Sequence, residues 1–158
     1  MDTDRLKQLH GDLVDELLDQ VDRDADREAQ LREAWNDATD ADRTAQSFQD
    51  WLEEYAVQIA AAWVVTAVFV RFLEDNELLD DHYIAGPTPE DREEADETLR
   101  WFRREHSTAS ETDYLEWVFG QLADLKAGGV FSEERNPLFR WALPADAGRQ
   151  LLEALRET

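Results

Sequence analysis

Arg71, Glu74 and Asp75 stand at i, i+3 and i+4 near the end of the apolar run "AAAWVVTAVFVRFLEDNELL". On a helix this spacing puts all three on one flank, where an arginine can pair with a carboxylate. Two roles suit that chemistry. Polar groups beside a core must be partnered, and a guanidinium is built to bridge carboxylates, so the set reads as a structural ion network. A contact for a partner is the second reading. Carboxylates on a helix can also hold a metal, but the 3 histidines, His10, His82 and His106, are scattered and none stands at ligand spacing from another.

Other polar clusters carry less. "DDHY", Asp80 to Tyr83, is the nearest approach to a hydrophilic ligand set and reads as solvated chain after a helix end. "DRDADRE" spaces its acids like a calcium loop but lacks the mid-loop glycine and the terminal bidentate glutamate in register. Ser107, Thr108 and Ser110 lie near His106 without a nucleophile elbow or an oxyanion-hole glycine pattern, and helix capping accounts for them. Gly128 and Gly129 follow a helix instead of opening one, the reverse of a helix-terminus anion site. "ERNPLFRWALP" gathers Arg135, Phe139, Arg140 and Trp141, a mixture typical of interfaces. The competing reading has Leu138, Phe139 and Trp141 closing the bottom of the core. No catalytic, cofactor-binding or metal-binding residue emerges.

These side chains need a frame, and the periodicity supplies an all-α one. Leu6, Leu9, Leu13, Leu17 and Val21 recur at steps of three and four, widened by Val14 and Leu18, which predicts an amphipathic helix over 4–22. A second helix is expected from about Arg27 to Ala38, with Leu31, Ala34 and Trp35 inward, ending in the polar "NDATDADRTAQ". Ser47 is the expected N-cap of the longest helix, about 48–79, with Asp50 three positions on. From Ala60 to Val70 its apolar residues point in every direction, so it must be covered all round, with Trp63, Val64, Val68, Phe69, Phe72 and Leu73 at the middle of a core. The uncharged run is too short for the ~20 apolar residues of a bilayer span. Thr88 and Pro89 start the next helix, whose inward stripe is Ala95, Leu99 and Phe102. Ser110 or Thr108 caps another, about Glu111 to Ala127, with Tyr114, Leu115, Val118, Phe119, Leu122 and Leu125 inward. An aromatic-rich loop and a last helix from about Ala145 complete a compact bundle of about five to six helices around the central one, read as a single domain over 1–158.

Composition narrows the function. The 38 acidic residues against 16 Lys and Arg leave a net charge of -22, and Lys7 and Lys126 are the lysines. Such a surface repels DNA phosphates and offers no basic run longer than Arg103-Arg104 to displace their counterions, so direct, unaided DNA binding is not expected. Charge spread along the whole chain fits a halophilic or strongly solvated protein whose folding needs salt. A DNA mimic that inhibits a nucleic-acid enzyme is the sharper alternative. With Cys 0 there is no disulfide framework and no thiolate metal site. "MDTDRLKQLH" lacks the order of a secretory signal, and a cytoplasmic location is expected.

The central run, preceded by "RTAQSFQDWLEEY" and followed by "DYLEWVFGQLADL" and "GVFSEERNPLFRWALPADAGRQLLE", resembles the amino-terminal helical region of the PglX family, adenine-specific DNA methyltransferases of type 2 BREX and phage growth limitation systems. The ordered set covers residues 43–153. The resemblance implies anti-phage defence by restriction-modification, in which the full-length protein methylates adenine using S-adenosylmethionine. The chain departs from the family's catalytic pattern: it has no glycine-rich S-adenosylmethionine loop and no Asn-Pro-Pro-Tyr, only Asn136-Pro137 followed by Leu138 and Phe139. The resemblance therefore implies a non-catalytic helical domain, excised or free-standing, without a cofactor of its own. Its implied partners are the catalytic methyltransferase region or other defence-system proteins, with DNA met only indirectly and no membrane.

Overall fold

The computed structural model describes residues 2–41, 45–125 and 128–157. Among them are six α-helices and no strand: α1 (Thr3–Arg23), α2 (Ala25–Asp40), α3 (Phe48–Asp75), α4 (Pro89–Glu105), α5 (Glu111–Leu122) and α6 (Ala145–Arg156), with 3-10 turns at Gly128–Phe131 and Pro137–Arg140. The expected all-α class is the observed one. The caps are those that side-chain chemistry favours. Ser47 accepts the Asp50 N–H, and Thr88 with Asp91 and Ser110 with Asp113 each form a reciprocal capping box.

The apolar stripe of α1 buries Leu9, Leu13, Leu17 and Val21 against α3. α2, α6 and the second 3-10 turn also pack on α3, α1 and α5 pack on α6, and α4 joins through Phe102, whose ring meets Tyr114 edge-on at 5.2 Å between centroids. Trp63 is fully buried on α3 and donates its indole N–H to the Trp141 carbonyl at 3.1 Å. Trp141 in turn donates to Gln20 Oε1 on α1 at 2.8 Å. Three remote parts of the chain are thus pinned at one buried point, where an unmade hydrogen bond would cost about 1–3 kcal/mol.

Several expectations need correction. α3 stops at Asp75, not near Leu79, because Glu77 takes a left-handed conformation (φ 55°) and the N–H groups of Leu78 and Glu77 bond back to Leu73 and Glu74 carbonyls. This is a Schellman stop with glutamate where glycine is usual. Phe72, expected in the core, is 52% exposed, and Val65 is 65% exposed. The helix is apolar all round, yet its neighbours cover only part of its circumference. Ala34 is exposed on α2. Leu125 is 40% exposed, since α5 ends at Leu122; the expected end at Ala127, with Lys126, lies outside the described residues, as do Asp42, Arg43 and Thr44 of the polar segment before α3.

By length and composition α3 is apolar enough to cross a bilayer, although its uncharged run is short. In this fold it is a core helix, with Ala56, Ala60, Trp63, Ala67 and Val70 fully buried.

Candidate functional site

Arg71, Glu74 and Asp75 occupy one end of α3 but do not act as one cluster. Arg71 pairs with Asp75 at 3.1 Å and donates to the Leu155 carbonyl, so it caps the C-terminal end of α6. Arg92 of α4 does the same at the Arg156 carbonyl. Glu74 turns inward and is fully buried. Its Oε2 accepts the backbone N–H groups of Tyr83 at 2.6 Å and Ile84 at 3.0 Å, and its Oε1 that of Ala85 at 3.0 Å. The expectation of three groups on one flank therefore needs amending: Glu74 leaves the flank because three consecutive loop amides solvate its carboxylate. Arg156 adds a bond to the Ile84 carbonyl at 3.1 Å and pairs with Asp96. The end of α3, the loop after it, α4 and α6 are thus held by a shared set of charge-assisted bonds.

The second expected set divides by depth. Arg135 and Arg140 are exposed and Phe139 is half-buried. Trp141 is fully buried, so it belongs to the core and not to an exposed interface; its indole is spent on Gln20 and its ring lies 6.1 Å from Tyr55. Arg135 borders a shallow hollow lined by Ala62, Val65, Thr66, Val130 and Pro137. Asn136 fixes one wall, donating to Thr66 Oγ1 at 2.8 Å and to the Val130 carbonyl at 2.7 Å. Val65, Phe72 and Val130, which is 41% exposed, give this side of α3 an uncovered apolar strip.

Sequence spacing missed a third cluster. His82 Nδ1 lies 2.8 Å from Glu94 Oε2 and 3.6 Å from Asp91 Oδ1. Burial pulls the imidazole pKa down, but the Glu94 hydrogen bond and the charges of Asp91, Glu94 and Glu74 outweigh it and raise it above its ordinary value. The three side chains come from a loop and from the first turns of the next helix, and the "GPTP" turn folds the one onto the other. That turn and the acid at the third position of α4 were the available signals.

No established family profile matches the chain, and no solved structure matches it. The chain is 35% identical, over 130 residues, to the adenine-specific methyltransferase PglX of Streptomyces coelicolor (strain ATCC BAA-471 / A3(2) / M145). The similarity takes in 82% of this chain, more than the stretch 43–153, but only 11% of that relative's length.

Proposed function

We propose that this chain is a non-catalytic helical domain of an adenine-specific DNA methyltransferase system in anti-phage defence, which assembles with the catalytic region and supports its engagement of DNA. The observation that carries the reading is 35% identity to PglX over 82% of the chain but 11% of the relative. A helical unit that forms a small part of a much longer enzyme has its obvious partner in the remainder. S-adenosylmethionine and adenine would be held there, since Gly128 and Gly129 lie in a 3-10 turn after α5 and no strand-to-helix glycine loop occurs among the described residues. With a net charge of -22, the domain would touch DNA only through its partner, in the cytoplasm. The surface best suited to the catalytic region is the strip of Val65, Phe72 and Val130 with Arg135 at its rim.

The rival reading is a DNA mimic, which needs carboxylates concentrated on one face. Exposed acids stand instead on every helix, among them Asp12, Asp37, Glu53, Glu93, Asp113 and Glu153. That spread favours the assembly role.

Co-expression with the catalytic region of a PglX-like methyltransferase tests the proposal. A stable complex is expected, weakened at least tenfold by Val65→Glu combined with Phe72→Glu while circular dichroism stays unchanged. Transfer of labelled methyl groups from S-adenosylmethionine to DNA by this chain alone would overturn the non-catalytic role. Absence of any complex with the catalytic region would overturn the assembly role.

A further inference from the structure

We propose that His82, Asp91 and Glu94 form a binding site for one divalent transition-metal ion, of which zinc is the best fit, clamping the loop after α3 onto the first turns of α4. His82 Nδ1, one Asp91 oxygen and one Glu94 oxygen all lie within 4.8 Å of one another. A tetrahedral zinc ion, with bonds of about 2.0–2.2 Å, sets its ligand atoms roughly 3.3–3.5 Å apart. The observed separations from Nδ1, 2.8 and 3.6 Å, bracket that range. A neutral imidazole and two carboxylates offer a charge of -2, which a divalent ion cancels.

A second observation is independent of the spacing. His82 is only 9% exposed, its ring is aimed at the two carboxylates, and its Nε2 is sealed from solvent without a hydrogen-bond partner. With Nε2 walled off, Nδ1 is the ring nitrogen that faces the carboxylates and the one from which the side chain could hold a cation. The surroundings are also prepared. Asp91 fixes its other oxygen on the Thr88 N–H at 3.3 Å, as outer-shell bonds fix metal ligands. Gly86 lets the ring sit close, since a Cβ there would lie 2.7 Å from His82 Cδ2. Glu94 is partly open to solvent and gives an ion its way in.

The site does not depend on the assembly role above, and its test is separate. Chain freed of metal with a chelator is titrated with zinc chloride by calorimetry in 0.5 M KCl, which suppresses loose binding to the acidic surface. One ion per chain is expected. Glu94→Gln and His82→Gln should each weaken binding at least tenfold, whereas Glu90→Gln and Glu93→Gln, exposed neighbours on the same helix, should leave it unchanged. If His82→Gln fails to fold, Glu94→Gln, a surface change with unaltered circular dichroism, decides alone. A zinc-dependent shift of the His82 ring nitrogen resonances would support Nδ1 as a ligand. No stoichiometric binding, or equal affinity in the Glu94 and Glu93 variants, would overturn the site.

Discussion

Glu74 accepts the backbone N–H of Ile84 at 3.0 Å from inside the molecule, and the amides on either side of Ile84 share the same carboxylate. A buried anion is tolerable only when such donors replace its water. Glu74→Ala should therefore leave three amide donors unsatisfied and cost about 3 kcal/mol or more. Glu74→Gln should also destabilise, because its NH2 would face donors. Urea unfolding of both variants checks this, and loss of protection for the Tyr83, Ile84 and Ala85 amides in hydrogen exchange should accompany it.

Glu77 holds the left-handed position that ends α3. A side chain there costs about 1–2 kcal/mol relative to the unstrained backbone, whereas glycine adopts it freely. Glu77→Gly is expected to stabilise the protein by up to about 1 kcal/mol, read as a rise in the urea midpoint with unchanged slope.

Gly148 on α6 touches the start of α5. A Cβ there would lie 1.9 Å from Thr112 Oγ1 and 2.7 Å from the Thr112 backbone nitrogen. Gly148→Ala should cost about 3 kcal/mol, at the upper end of overpacking. Thr112→Ala should fail to rescue it, because the backbone overlap persists; thermal melts of the two single variants and the double variant settle the point.

Tyr114 donates its hydroxyl to the Tyr83 carbonyl at 2.7 Å, and burial, then the Glu74 charge, push its pKa above the ordinary tyrosine range. A proton held more tightly by the folded state gives stability that is complete below the unfolded value of about 10 and is lost as pH rises above it, by up to ~1.4 kcal/mol per pH unit. Tyr83, also raised, chiefly by burial, adds to the loss. Tyr114→Phe should be about 1 kcal/mol less stable at pH 8 yet show a shallower decline between pH 10 and 11. Urea titrations at those pH values measure both effects.

With a net charge of -22, self-repulsion should fall as salt shortens the screening length from about 10 Å at 0.1 M to about 3 Å at 1 M. The melting temperature should climb on the order of 5 °C or more between low salt and molar KCl. A flat profile would remove the halophilic reading.

Much of the frame was legible because it rests on local rules. The stripe from Leu9 to Val21, the Thr88-Pro89 start and the Ser110 cap each state a helix within a few residues. The end of α3 was not legible, since its stop is a glutamate in a conformation that marks itself only when the residue is glycine. Phe72 misled because an apolar residue on an all-apolar helix carries no sign of which side neighbours will cover. For Trp141 composition left both an interface and the bottom of the core open, while its burial follows from Trp63 and Gln20, far away in sequence. The inward turn of Glu74 and the meeting of His82 with Asp91 and Glu94 depend on how one loop folds back, which no helical spacing encodes.

The grip of Arg71 and Arg92 on the closing carbonyls of α6 bears on how the molecule is made. Both arginines wait for acceptors that are synthesised more than sixty residues later. A nascent chain stalled before residue 150 would lack both acceptors, and the part of α3 on which α6 packs would stay open. The packing of α1, α3 and α5 is therefore complete only once α6 has been synthesised.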